Sequence, residues 1–105
     1  MTEAVLVLTT AGRESEAQKI AQELVERRLA ACVNIVPRIQ SVYRWEGKVE
    51  TAEEFLLIIK TTKIRSADVK AAIRELHSYE VPECIVLTIE SGNEEYVQWI
   101  EKSVH

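Results

Sequence analysis

The amino-acid sequence predicts an α+β fold of the split βαβ type, and three observations carry that prediction. Segments of strand and helix character alternate as strand, helix, strand, strand, helix, strand, with a short helix after them. The run Ala4-Val5-Leu6-Val7-Leu8 is unbroken and apolar, the pattern of a strand buried on both faces. The stretch from Cys32 to Thr61 holds two β-prone arms around Glu46-Gly47, the pattern of a hairpin. Two strand–helix–strand units with right-handed crossovers interleave in only a few ways. The order therefore leads to an antiparallel four-stranded sheet with two main helices on one face, the ferredoxin-like arrangement. A chain of 105 residues suffices for one domain, 1–105, around one core.

The elements follow in order. The first strand is expected over Ala4–Leu8, broken by Thr9-Thr10-Ala11-Gly12. A helix is expected from about Arg13 to Leu29, because Ala17, Ile20, Ala21, Leu24 and Leu29 recur near helical spacing. Ser15 and Gln18 fit a capping box at its start. After the hairpin, Ser66 to His77 reads as a second helix, with Val69, Ala72, Ile73 and Leu76 at i, i+3, i+4 and i+7. Cys84 to Ile89 reads as the fourth strand and Gly92 ends it. Asn93 is the expected cap of a short last helix whose apolar side is Tyr96, Val97, Trp99 and Ile100.

The hairpin organises the rest. Extended throughout, each arm spans roughly 45 Å at about 3.3 Å per residue. A domain of about 100 residues has a radius of gyration near 13 Å, so the arms overhang their own domain. Period-two alternation puts Ile39, Tyr43 and Trp45 on one face and Val42 on the other. Pro37 cannot donate to a ladder, so the first arm is an edge strand or bulges there. The second arm is polar near the turn and continuously apolar only from Phe55 to Ile59, which assigns its far end to the core. Tyr43 and Trp45 at the tip are costly to leave in water, and aromatics are enriched at interfaces. Another subunit is expected to cover the tip. A ligand-stacking platform is the alternative, and both hold if the ligand lies between subunits.

Composition narrows the function classes. Hydrophobic content of 47% and charged content of 29% indicate a folded chain. The net charge of −4 argues against a nucleic-acid backbone or an anionic membrane as partner. No apolar run approaches the ~20 residues needed to span a bilayer, and the start lacks the pattern of a signal peptide. Cys32 and Cys84 lie in apolar runs at a spacing that is not a zinc pattern, so two reduced thiols in a cytoplasmic protein are expected.

Candidate chemistry gathers in few places. Cys32, His77, Cys84 and His105 are the soft or borderline metal-ligand candidates, with Glu80 and Glu83 as hard ones. His77 ends a helix and is followed closely by Tyr79, Glu80 and Glu83, so it is either a helix cap or part of a ligand-facing loop. Lys60, with Lys63 and Arg65 after it, is either a solvated strand end or an anion-facing cluster. Catalysis finds little support: there is no Gly-rich phosphate loop and no nucleophile elbow, and the one nucleophilic pair on offer, Cys32 with His77, is disfavoured because a strand cysteine in apolar surroundings is a poor nucleophile. The chain reads as a non-enzyme without an organic cofactor, and a structural or interaction module with no small ligand is a further alternative.

Several runs together are distinctive. They are Glu26 to Pro37 (Glu-Arg-Arg-Leu-Ala-Ala-Cys-Val-Asn-Ile-Val-Pro), Ser41 to Gly47 (Ser-Val-Tyr-Arg-Trp-Glu-Gly) and Leu57 to Thr62 (Leu-Ile-Ile-Lys-Thr-Thr). His77, Tyr79 and Pro82-Glu83 follow, and Tyr96 with Trp99-Ile100 ends the set. Over essentially the whole chain this resembles the divalent-cation tolerance protein family, CutA. The resemblance implies a ferredoxin-like subunit, a homotrimer closed by strands that extend sheets across subunits, and a cytoplasmic location. It also implies divalent-cation tolerance with proposed copper binding, and a structural kinship with PII-like signalling trimers. On the first implication the metal ligands would be His77, Glu80, Glu83 and Cys32. On the second, a small anion would sit in an inter-subunit cleft near Trp45, Lys60, His77 and Tyr79. A further family cysteine in the first strand corresponds to Thr9 here, and a proline that often follows the histidine corresponds to Ser78. With that thiol absent, His77 with carboxylates suits zinc, nickel or copper(II) better than copper(I).

Overall fold

β1 (Ala4–Ala11) runs through the middle of the sheet, with both of its edges taken over Val5–Leu8. In a computed structural model describing residues 2–104, it pairs antiparallel with β3 (Lys48–Thr62) on one side and with β4 (Ile85–Thr88) on the other. β2 (Cys32–Trp45) lies outside β3, giving the order β2-β3-β1-β4 with every neighbouring pair antiparallel. The helices are α1 (Glu14–Glu26), α2 (Lys63–Leu76) and α3 (Glu94–Ser103). This is the ferredoxin-like α+β arrangement that the element order implies.

Alternation along the central strands sorts the two sheet faces. Val7 and Ala11 of β1, with Leu57 and Ile59 of β3, are fully buried against Ile20 and Leu24 of α1 and Val69 and Ile73 of α2. The other face carries Lys60, over which α3 lays the ring of Tyr96. The asparagine cap forms as expected: Asn93 Oδ1 accepts from the backbone N–H groups of Glu95 and Tyr96.

Element ends differ from the sequence reading, each for a local reason. β1 does not stop at Leu8; Thr9, Thr10 and Ala11 continue the ladder opposite Leu57, Leu56 and Phe55. The Ser15–Gln18 capping box is not formed, since Arg13 is the N-cap and makes no side-chain cap bond. α1 ends at Glu26 rather than Leu29. Arg28 takes a left-handed φ of 59°, and the N–H groups of Arg28 and Leu29 turn back onto the carbonyls of Val25 and Leu24. That is a Schellman closure without the glycine that usually announces it. α2 begins at Lys63 rather than Ser66 because Thr62 Oγ1 accepts the N–H of Arg65. β4 is shorter than Cys84–Ile89, pairing only where β1 offers Val5 to Leu8.

The hairpin has the expected overhang. Glu46 (φ 48°) and Gly47 (φ 80°) both sit in the left-handed region, as a tight primed turn requires. The register shifts between Val36 and Ile39, and Arg38 after Pro37 has φ 56°, so the proline marks a bulge. β1 covers β3 only from Phe55 to Thr62. The remainder projects, stretching the molecule to 44 Å along its longest axis. On the projecting half Val42 is 67% exposed, Val49 65% and Trp45 53%, which is a large apolar surface for one subunit to leave wet.

The buried centre makes a direct prediction. Ile59→Ala is expected to cost about 2–5 kcal/mol in denaturant unfolding, because Ile59 is fully buried. Lys19→Ala on the exposed side of α1 should stay within about 0.5 kcal/mol.

Candidate binding cleft at the base of the hairpin

The segment from His77 to Cys84 crosses the end of the sheet where the hairpin leaves the core. Three side chains fasten it. His77 is the C-cap of α2, and its ring lies on the edge of β1. Its Nε2 faces the carbonyl of Thr10, which can only accept, so Nε2 carries the proton. Its Nδ1 accepts the backbone N–H of Tyr79 at 3.0 Å. These two bonds define one neutral tautomer. A carboxylate oxygen of Glu16 lies 3.4 Å from the same Nδ1, but that nitrogen is already an acceptor, so the contact is not an ion pair in this tautomer. The second fastening is Tyr79, whose ring packs on His77 at 4.6 Å and whose hydroxyl donates to Glu54 Oε2 at 2.8 Å. Gly12 clears its seat: a Cβ there would come within 2.8 Å of the Tyr79 hydroxyl. The third is buried Thr9, whose hydroxyl donates to the Glu83 carbonyl at 2.6 Å.

Between this loop and the hairpin lies a cleft of about 610 Å³. β2 contributes Tyr43 and Trp45, β3 contributes Glu54, and the loop contributes Tyr79, Glu80 and Glu83. The lining holds three carboxylates and neither lysine nor arginine. Burial, and then the nearby Glu54 charge, push the Glu83 carboxyl above the ordinary range. Burial and the hydrogen bond to Glu54 push the Tyr79 phenol up to about 12. Burial also raises the Cys84 thiol, which makes it a weak nucleophile.

The site residues expected from sequence divide between two places. Trp45, Tyr79, Glu80 and Glu83 line the cleft. His77 lies beneath it with its side chain fully buried and both nitrogens committed to the main chain. Lys60 lies outside, where its Nζ bonds Asn34 Oδ1, stands 4.0 Å from Cys32 Sγ and sits over Tyr96. Cys32 and Lys60 align with Leu6 of β1, four residues from Thr10, roughly 13 Å away at about 3.3 Å per residue. One subunit therefore does not bring Lys60 to Trp45, His77 and Tyr79, nor Cys32 to His77, Glu80 and Glu83. His105 lies outside the described residues. Among the described residues no group of three His, Cys, Asp or Glu side chains is placed to hold a metal ion. The residues of a single subunit thus do not fit a dedicated copper centre.

Glu54 and Gly12 are not among the site residues the sequence suggests, and Thr9 stands out there only as the position of a family cysteine. Glu54 looked like one more polar residue of the outer arm. The available signal was its place directly before the apolar block of Phe55 to Ile59, where a carboxylate comes under the domain's cover.

The family model described as CutA1 divalent ion tolerance protein matches residues 5–103. The chain belongs to this family. It is 47% identical over 98 residues to the divalent-cation tolerance protein CutA of Thermus thermophilus, covering 93% of this chain and 95% of that one. It is 44% identical over 93 residues to human protein CutA, covering 89% of this chain but 52% of the human one. The fold superposes on the crystal structure of CutA from Xylella fastidiosa with a TM-score of 0.97 at 36% identity, covering 99% and 100% of the two chains. The CutA fold thus extends through the hairpin and the loop that frame the cleft.

The raised Tyr79 phenol carries a pH prediction. A folded-state value of about 12, against 10.0 ordinarily, means the folded protein holds this proton longer than the unfolded chain. The stability it contributes is complete below pH 10 and is lost as pH rises toward about 12. Tyr79→Phe should remove that share of the alkaline loss. Denaturant midpoints of the two proteins should converge across this window.

Proposed function

We propose that this protein acts in divalent-cation tolerance as a non-catalytic homotrimer that meets cations at the hairpin cleft. The observation that carries the reading is the cleft lining, with three carboxylates and no opposing base. Such a site attracts cations and repels the small anions that a PII-like sensor takes. Family membership supports the tolerance role at the level of its description. Carboxylate oxygens suit hard divalent ions such as manganese and magnesium. Copper(II) also accepts oxygen donors, but the imidazole and thiolate that favour it are not at hand in this cleft.

Self-association is supported by two exposed surfaces. The hairpin overhangs with Tyr43 and Trp45 exposed, and the edge strand β4 presents Ile85, Val86 and Leu87 to solvent. An overhanging arm and a bare apolar edge are the two unlike halves of a heterologous contact, which closes into a ring when the rotation allows. The threefold count follows the family resemblance. A reducing cytoplasm suits the two free cysteines.

Two measurements test the reading. Trp45→Ala should lower the denaturant concentration at which the trimer dissociates in sedimentation, with helix content retained; a variant as firmly trimeric as its parent counts against the interface. Manganese(II), added substoichiometrically, should broaden the amide signals of Tyr79, Glu80, Val81 and Glu83 before others. Broadening that starts elsewhere, or none, removes the cation site.

A further inference from the structure

His77 and Glu16 meet beneath the cleft in a contact that neither the cation site nor the fold requires. We propose that the two form an acid-sensitive latch, which frees Tyr79 from the His77 ring when the imidazole takes a second proton. The latch works whatever the cleft binds.

Three contacts at one ring build it. Nε2–H donates to the Thr10 carbonyl of β1, and Nδ1 accepts the Tyr79 N–H at 3.0 Å. Glu16 Oε1, in the first turn of α1, lies 3.4 Å from the same Nδ1. That nitrogen has one lone pair, and in the neutral ring Tyr79 holds it. Glu16 Oε1 is then left buried with no hydrogen-bond partner among the described residues. A buried carboxylate oxygen in that state is costly. A proton arriving from solvent at Nδ1 reverses the assignment. Nδ1–H becomes a donor, Glu16 Oε1 becomes its acceptor, and the Tyr79 N–H, itself a donor, has to turn away. The ring's new positive charge is balanced by the Glu16 carboxylate. One nitrogen cannot serve both partners, so the two arrangements exclude each other, as a switch requires.

The surroundings favour the charged ring. Glu16 faces it from α1, Tyr79 from the loop and, behind the Tyr79 hydroxyl, Glu54 from β3. β1 presents the Thr10 carbonyl, and α2 ends at His77, where the last carbonyls of a helix attract a cation. Among the described residues no carboxylate of the cleft lies within ion-pair distance of either ring nitrogen. Once the Tyr79 N–H is free, the loop keeps two ties, Tyr79 to Glu54 and Thr9 to the Glu83 carbonyl. Acid therefore loosens the cleft wall at Tyr79 and leaves it fastened at Glu83.

Heteronuclear NMR of the metal-free full chain tests the latch between about pH 8 and about pH 5, the range in which histidine changes charge. At the upper end the His77 ring should show the Nε2–H tautomer. As it gains the Nδ1 proton, the Tyr79 amide should shift at the same midpoint and exchange with solvent about tenfold faster, the loss of one hydrogen bond. The amide of buried Ile59 should not change, which separates release from unfolding. Glu16→Gln should lower the shared midpoint by about one pH unit or more, and Lys19→Ala should leave it in place. His77→Gln should abolish the Tyr79 transition; Glu16→Gln keeps the test decisive if that variant fails to fold. Ring protonation without a Tyr79 response, a midpoint unmoved in Glu16→Gln, or a ring still neutral at the lower end would overturn the proposal.

Discussion

β3 pairs with β2 along nearly its whole length but with β1 only from Phe55 to Thr62, and most of the architecture follows from that mismatch. Where both neighbours are present, β3 is central, and its alternating residues Leu57 and Ile59 disappear beneath α1 and α2. Where β1 ends, the same strand becomes half of a two-stranded ribbon. A ribbon of that kind is marginal in water unless something covers it. The bulge at Pro37 falls close to the change, opposite the step from Leu56 to Glu54. The place where core gives way to ribbon is also where a concave angle opens, and the cleft occupies it.

The His77 loop closes the other side of that angle. Its hold depends on backbone geometry more than on charge. A neutral imidazole with one donor and one acceptor satisfies a β1 carbonyl and a loop N–H together. Removing either partner underground would leave a buried polar group unpaired, at about 1–3 kcal/mol. A histidine in this role is a brace, and it fixes where Tyr79, Glu80 and Glu83 stand. Thr9 does related work from the neighbouring position on β1, where the resemblance implies a cysteine in other members. The hydroxyl gives the Glu83 carbonyl a strong donor that a thiol supplies only weakly.

The charges around the cleft are of one sign. Glu54 is buried, Glu83 lies within its field, and two of the bases of β3 and α2 are engaged elsewhere, Lys60 with Asn34 and Arg65 with Asp68. The family's fold is shared widely, so its function has to be argued from such a site and not from the fold alone.

The sequence by itself determined the order of elements, the antiparallel sheet, the overhanging hairpin, the break at Pro37 and the asparagine cap of α3. These are local matters of periodicity, turn chemistry and arm length, and neighbouring residues carry them. It missed the end of α1, because Arg28 adopts a left-handed conformation without a glycine to signal it. It grouped Trp45 and Tyr79 with Lys60 and His77, and Glu80 and Glu83 with His77 and Cys32, because those residues neighbour one another along the chain or match the family's motifs. Only the tertiary structure decided that Trp45, Tyr79, Glu80 and Glu83 share one cleft with Glu54, that Lys60 and Cys32 stand roughly 13 Å away along the strands, and that His77 faces inward. Those outcomes depend on strand register and on which carbonyl a ring nitrogen meets. Register is set by pairing across the sheet, and the spacing of residues along the chain does not record it.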